Sequence, residues 1–509
     1  MKSIERRKIE KGKRQIQRRL KRAAKISFRE RTIRGGNIHY EVSDKTKATV
    51  HGGIGLFSQL IENIGLAKAI DDRLHLLKLH MPYLESDHVL NFAFNALCEG
   101  TCLDDIEVRR NDEVFLDAIG ADRIPDPTTG GDFLRRFCPE DVMDLMDAID
   151  DARLNAWRHQ PAEFFDEAII EADGTMVPTT GECKQGMEIS YKGEWGYHPL
   201  LVTLANTGEY LRICNRPGNR PSHEDADAYL DEAIGLCRRA GFRKILLRGD
   251  TDFTQTHKLD DWNALGNLRF IFGIDAMPNL VDSAEKLPLS AWKTLQRPTR
   301  PRRGPPRCKP VNVKEPIVVE REFENIKLKS EQVAEFAYRP RKCRTAYRVV
   351  VVKKNLSVEK GEAVLFEHKV KYFFYLTNDA ESTAEQIVFS ANDRCNQENV
   401  IEQLKNGVCA LKAPVNTENA NWAYMVCTAL AWNLKAWWAL WLPEGTGRHK
   451  EKHAAEKRRV LRMEFKTFAQ AFIRIPCQIV KTGRKIVYRI LNWNPWLHVF
   501  YRNACVLKK

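Results

Sequence analysis

The chain has 509 residues, 43% of them hydrophobic and 29% charged, which supports a buried core spread over several domains and excludes a mainly disordered or fibrous chain. Its 81 Lys and Arg against 67 Asp and Glu leave a net charge of +14, divided as +12 in residues 1–36, +13 in residues 448–509 and −11 between them. Basic ends suit a polyanion, because Lys and Arg displace counterions condensed on a phosphate backbone, and an acidic centre suits a site for hard cations.

No window holds ~18 consecutive apolar residues, and the N-terminal MKSIERRKIEKGKRQ lacks the apolar stretch of a secretory signal, so the protein is expected to stay inside a cell. The 13 cysteines form no C-x-x-C pair, which argues against zinc fingers and disulfide frameworks; all are expected to be reduced thiols. There is no G-x-x-x-x-G-K-[S/T] phosphate loop, which argues against nucleotide hydrolysis.

Residues 1–36 alternate Arg and Lys with Ile, Leu and Gln, an arm expected to become helical on contact with DNA. Helical spacing follows over Gly52–Leu79 and over Ser86–Cys98, with Ser86 as the expected N-cap. A third helix is expected near Thr128, where Arg135 and Arg136 lie beside Phe133, Leu134 and Phe137; a DNA-binding helix and a plain surface helix fit this pattern equally.

From Glu163 the period changes. Three short apolar runs form a meander, with Asp173 ending the first. Ser222 and Asp225 suggest a capping box for a helix reaching Ala240, followed by Lys244–Leu247 as a strand ending at Asp250. A helix near Thr256–Leu265 and a strand Leu268–Gly273 would complete a mixed α/β sheet. Residues 293–314 hold eight Lys or Arg, no acid and six Pro or Gly, an exposed basic loop whose Arg302 and Arg303 could touch DNA. Beyond it Pro316–Glu324, Ala346–Val352 and Val370–Leu376 are expected strands, then a helix over Thr383–Leu404, and Trp422–Leu442 as a buried helix.

On a helix of ~100° per residue with Arg394 at 0°, Glu398 falls near 40°, Glu402 near 80° and Lys405 near 20°, so one stripe presents Glu398 between two cations. Alone this is an ordinary solvated salt-bridge ladder. Combined with Asp173 and Asp250 at strand ends it becomes a set of convergent acids, which is what phosphodiester cleavage with ~two Mg²⁺ requires. Arg394 and Lys405 would then hold phosphate oxygens. Glu171 and Asp252 are rival ligands, each two residues from a proposed one.

Here the chain resembles the DDE transposases of bacterial insertion sequences, most closely the family numbered thirteen-eighty. The resemblance runs through Ser86-Asp87-His88, Ile124-Pro125-Asp126-Pro127-Thr128-Thr129, Asp132 to Phe137, Ala172-Asp173-Gly174-Thr175, Gly196-Tyr197-His198-Pro199-Leu200, Arg216-Pro217-Gly218-Asn219, Leu247-Arg248-Gly249-Asp250 and Asn396-Gln397-Glu398-Asn399, covering about residues 50–410. The related signature Tyr-x2-Arg-x3-Glu-x6-Lys matches at Arg394, Glu398 and Lys405, with Ala391 where the tyrosine would stand.

The resemblance implies Asp173, Asp250 and Glu398 as catalytic metal ligands, with Mg²⁺ as cofactor and Mn²⁺ as substitute. It implies an α/β fold with an RNase H-like mixed-sheet core split by a β-rich insertion. The expected segments are a basic arm (1–40), a helical DNA-binding region (41–160), the first part of the core (161–275), the insertion (276–370), the second part with the glutamate helix (371–445) and a basic helical C-terminal region (446–509). Phosphate contacts are expected from Arg394, Lys405, Arg135, Arg136, Arg302 and Arg303.

The implied partners are double-stranded DNA, as terminal inverted repeats and target, and a second copy in a homodimer on DNA, with no membrane. The implied compartment is the bacterial cytoplasm at the nucleoid. The implied reaction is cleavage at element ends followed by 3′-OH attack on target DNA, and Trp292 is a candidate to receive a flipped base in a hairpin step. A metal-dependent nuclease that does not join ends, and a noncatalytic DNA-binding protein, remain as competing readings of the same residues.

Overall fold

The computed structural model describes residues 3–25, 38–42, 46–78, 82–297, 311–360, 363–483 and 485–507. The principal elements in chain order begin with α1 (Ser3–Ala23), β1 (Ala48–Thr49), α2 (Ile54–Ile64), α3 (Leu66–Arg73), α4 (Glu85–Leu97), α5 (Pro127–Leu134) and α6 (Pro139–Trp157). Next come β2 (Glu167–Gly174), β3 (Leu200–Leu204), β4 (Glu209–Cys214), α7 (Ala226–Ala240), β5 (Lys244–Gly249), α8 (Leu259–Ala264), β6 (Leu268–Ile274) and β7 (Lys293–Thr294). Then follow β8 (Glu324–Tyr338), β9 (Tyr347–Lys360), β10 (Ala363–Thr377), α9 (Ala384–Asp393), α10 (Cys395–Glu402), α11 (Glu418–Leu440) and α12 (Lys450–Leu461). The chain closes with β11 (Cys477–Thr482), β12 (Lys485–Ile490) and α13 (Leu497–Leu507). The expected order β-β-β-α-β, then helix and strand, is present from β2 to β6.

The chain divides into two compact units, one formed by Met1–Phe164, Gly174–Arg220 and Glu398–Lys509, the other by Phe165–Asp173 and Pro221–Gln397. The first is centred on α11, buried from Ala420 to Leu440 and packed on α4, α6 and β4. This is the Trp-rich segment expected to be a buried helix. No helix among the described residues is long and apolar enough to cross a membrane.

The polar residues that interrupt α11 are accommodated individually. Asn433 pairs with the backbone of Tyr210, accepting from its N–H at 3.2 Å and donating to its carbonyl at 3.1 Å. Lys435 donates from Nζ to the carbonyl of Leu461 at 2.6 Å, placing a cation on the C-terminus of α12, and lies 4.0 Å from the Trp432 ring centroid. Burial pulls its pKa from 10.5 down to about 7.

A fully buried charge network joins α6, β4 and α11. Arg153 donates from Nε to Glu209 at 3.1 Å and from Nη2 to the Tyr210 carbonyl at 2.7 Å, and is bonded to Asp150. Arg212 reaches the other oxygen of Asp150 at 2.7 Å, while Glu209 also accepts from Trp157 at 3.0 Å and Trp437 at 2.6 Å. Every charge in this cluster has an opposite charge and further hydrogen bonds, the condition under which ions are tolerated in a core.

Several local expectations are corrected. The N-terminal arm is already helical over Ser3–Ala23, with Ile9, Gly12 and Ile16 half-buried and Gly12 against Trp493. Ser86 does not cap α4, because its N–H and hydroxyl are both taken by Asp71 at 2.8 Å; Asp87 instead accepts from the Leu84 N–H at 2.9 Å. The Ser222 box fails too: residues 221–225 wind as turns and α7 starts only at Ala226, after Asp225 at φ 56°.

Lys314–Glu320 is helix rather than the expected strand, its Pro316 tolerated in the first turn, where the missing N–H has no intrahelical partner to lose. The C-terminal region is not all helical, since β11 and β12 form an antiparallel hairpin extended by β1.

In the second unit a mixed sheet has the strand order β7-β8-β9-β10-β6-β5-β2, in which β2, β5 and β6 are parallel and the rest antiparallel. Ile387 and Val388 of α9 pack with Leu246, Ile271, Leu295, Val333, Val350 and Val352, fixing the helix on one face.

Two stability predictions follow from the first unit. Arg153→Met, which leaves Glu209 without its arginine and Asp150 with Arg212 alone, should cost about 3–5 kcal/mol in chemical unfolding, against less than about 0.5 kcal/mol for Lys68→Ala in the exposed Lys68–Asp72 pair. Between pH about 7 and 10.5 the unfolded chain binds a proton that folded Lys435 does not, so this group makes wild-type stability rise with pH across that window. The slope is at most about 1.4 kcal/mol per pH unit, and Lys435→Met should lack that contribution in unfolding measured at several pH values.

Candidate active site

β2 and β5 are adjacent and parallel, in a register that sets Glu171 opposite Arg248. Side chains alternate along a strand, so Asp173 and Asp250, each two residues further on, occur at the carboxyl ends of the strands where parallel sheets assemble sites. Gly249 lets β5 stop there, because a Cβ would lie 2.7 Å from Cβ of Phe253 and 3.0 Å from the Phe272 ring. The chain then enters a 3-10 turn in which Asp250 accepts from the N–H of Asp252 at 3.1 Å.

Both carboxylates meet one cation, Arg394. Its Nη1 lies 3.2 Å from Oδ2 of Asp173 and its Nη2 lies 3.6 Å from Oδ2 of Asp250. Burial raises the pKa of Asp250, opposed by the Arg394 guanidinium. Arg394 stands at the C-cap of α9, whose N-terminus is fixed by a capping box between Thr383 and Gln386.

The preceding layer is a second acid–base pair. Arg248 donates to Glu171 at 2.5 Å and, through Nη1, to the carbonyl of Ser390 in α9 at 2.7 Å. Burial pushes the Glu171 carboxyl up to about 7 against the pull of Arg248. Glu171 is thus buried and paired with its own arginine, one layer before Asp173. Asp252, the other rival, lies in the 3-10 turn after Asp250 and is exposed. Arg248 was missed from sequence as a functional residue, although it stands inside the quoted Leu247-Arg248-Gly249-Asp250 motif.

The stripe expected for one helix over Thr383–Leu404 is corrected. The helix breaks at Arg394, where the Gln397 N–H bonds back only three residues, at 2.8 Å. After Glu402 the chain widens into a π-helical segment, Gln403–Gly407, held by Val408 N–H to the Gln403 carbonyl at 2.9 Å and by Phe465 N–H to the Gln403 side chain at 2.8 Å.

The α-helical wheel therefore does not place Lys405. That lysine is half-buried, its pKa lowered by burial and raised by Glu402 and Glu194. Glu398 lies in the first turn of α10 with its side chain exposed, and the division between the units falls just before it.

The other expected contacts fall as follows. Arg135 and Arg136 are exposed just past α5; Arg135 bonds Asp132 at 2.7 Å and Asn416 at 3.2 Å, and Arg136 bonds the Leu76 carbonyl at 3.2 Å. Arg302 and Arg303 lie outside the described residues. Trp292 packs at 6.4 Å from Tyr372, with Lys353 5.4 Å from its ring centroid. Tyr375, which senses the Arg394 charge, is three residues from Tyr372 along β10 and so on the opposite face of the sheet.

The quoted motifs in the first unit mainly shape backbone. Asp126 caps α5 through the Thr129 N–H at 2.9 Å, His88 stacks on Phe133 at 4.3 Å, and a Cβ on Gly218 would lie 2.3 Å from the Glu188 carbonyl.

Two hard oxygen donors converge on a single cation, and carboxylate oxygens of this kind are the donors a divalent metal ion takes. Among the described residues no group of three or more His, Cys, Asp or Glu is gathered closely enough to hold a metal ion.

Compared with curated proteins, the sequence finds no match. Among solved structures it is similar to the piggyBac transposase in a synaptic complex with hairpin DNA, at 11% identity over 85% of this chain and 84% of that one, with a TM-score of 0.36. The family model described as "Transposase DDE domain group 1" matches residues 38–509. With the match spanning nearly the whole sequence, the chain belongs to the transposase DDE domain group 1 family.

Proposed function

We propose that this transposase binds the ends of an insertion sequence, cuts the DNA there and joins the freed 3′-OH ends to target DNA. The observation that carries the reading is the convergence of Asp173 and Asp250, from adjacent parallel strands, on one positive charge. Asp173, Asp250 and Glu398 would hold divalent cations, Mg²⁺ by preference. Bound there, the ions would activate the attacking oxygen and stabilise the leaving one. The three acids supply hard, negatively charged oxygens, the donors such ions take. Arg394 and Lys405 would contact phosphate oxygens, Arg as a planar fork and Lys as a point charge.

Membership of the insertion-sequence family numbered thirteen-eighty, action as a dimer on paired ends and location at the bacterial nucleoid rest on the motif series. The basic helix α1, Arg135 and Arg136 are assigned to element-end DNA, with phosphate contacts supplying affinity and register.

The test is metal-dependent cleavage and joining of a labelled duplex containing the junction of the chain's own element with its flank. Asp173→Asn and Glu398→Gln should each lose both steps, by at least about a thousandfold if the metal ligand is essential, while still retarding the DNA. Wild-type cleavage without joining would replace the reading by a nuclease, and full activity in both variants would sink it. Arg135→Ala and Arg136→Ala should each weaken binding uniformly across sequences and lower the log–log salt slope by about one.

A further inference from the structure

The cation between the two candidate ligands belongs to the protein itself. Arg394 touches Asp173 at 3.2 Å and Asp250 at 3.6 Å, and the three side chains are partly shielded, with relative exposures of 20%, 19% and 37% respectively. Two carboxylates close enough to share a guanidinium repel one another strongly once it is removed, so Arg394 holds the pair together as well as neutralising it. The guanidinium and a divalent ion would compete for the same oxygens, which Mg²⁺ needs at about 2.0–2.1 Å. Arginine does not deprotonate in proteins, so a change of pH within the ordinary range does not vacate the seat.

The backbone at Arg394 is held by bonds that do not involve its side chain. Ser390, one helical turn before it, is tied to Arg248, and the chain around it is held by Arg394 N–H to the Ala391 carbonyl at 3.3 Å and Gln397 N–H to the Arg394 carbonyl at 2.8 Å.

We propose that Arg394 is the resident counter-ion of this site and sets its metal affinity: guanidinium and divalent cation exchange at Asp173 and Asp250, and a DNA phosphate promotes the exchange by taking up Arg394. The proposal rests on the reading of Asp173 and Asp250 as metal ligands. It makes Arg394 a specificity-determining residue that couples metal loading to DNA, in addition to any phosphate contact.

The test is Mn²⁺ titration of the full-length protein, read by the electron paramagnetic resonance of free Mn²⁺. It would be run with and without the junction duplex, for wild type, Arg394→Gln, Arg394→Lys and Asp173→Asn, with thermal unfolding as a check of folding. Without DNA, Arg394→Gln should bind Mn²⁺ about tenfold more tightly than wild type, the effect of removing one competing charge contact at a partly exposed site, and Arg394→Lys should fall between them. DNA should tighten Mn²⁺ binding to wild type and do so less for Arg394→Gln. Equal or weaker Mn²⁺ binding in every folded Arg394 variant would overturn the exchange. Unchanged Mn²⁺ binding in Asp173→Asn would instead overturn the ligand reading on which it rests.

Discussion

The parallel pairing of β2 with β5 is the constraint on which the site depends. It sets Glu171 against Arg248, and the two-residue repeat of a strand then carries Asp173 and Asp250 to the edge of the sheet. The result is two stacked layers of acids and arginines, one closed and one open. In the closed layer Glu171 and Arg248 are buried and paired, and Arg248 uses a further N–H to hold the Ser390 carbonyl. In the open layer two carboxylates share one arginine, partly exposed and at longer contacts. The difference in burial separates a permanent fastening from an exchangeable one.

The first unit uses buried charge differently. The cluster of Arg153, Asp150, Glu209 and Arg212 lies among the tryptophans of α6 and α11, and each ion there has both a counter-charge and hydrogen bonds. Such a network contributes less net stability than its contacts suggest, because desolvation offsets most of the attraction, yet it tolerates no missing member. It fixes the orientation of α6 and α11 on β4, as apolar packing of Ala, Leu and Trp alone does less uniquely.

Much of this organisation was legible in the sequence where a single period dominated. The strands β2, β5 and β6, the buried helix α11 and the two strand-end aspartates all follow from apolar runs bounded by turn residues. Tertiary partners defeated the local signals elsewhere. Ser86 has the composition of an N-cap, but Asp71, fifteen residues away, claims it. The helix carrying Arg394 and Glu398 has continuous helical periodicity, and the break at Arg394 with the π segment after Glu402 comes from contacts such as Gln403 with Phe465 that no local pattern encodes. Arg248 lies within the Leu247-Arg248-Gly249-Asp250 motif and Glu171 has the spacing of a rival ligand, but that the two face each other is set by the strand register, which no local pattern encodes.

The central proposal is that Asp173, Asp250 and Glu398 act together as metal ligands, and the most direct measurement of it is Fe²⁺-directed cleavage of the protein backbone. Fe²⁺ substitutes for other hard divalent ions and, with ascorbate and peroxide, generates hydroxyl radicals that cut the chain beside its own ligands. The account predicts cuts near residues 173, 250 and 398 on the DNA-bound protein, competed by Mg²⁺ and lost together in Asp173→Asn. Cuts confined to other segments, or cuts near 398 that persist when Asp173 is replaced, would contradict it.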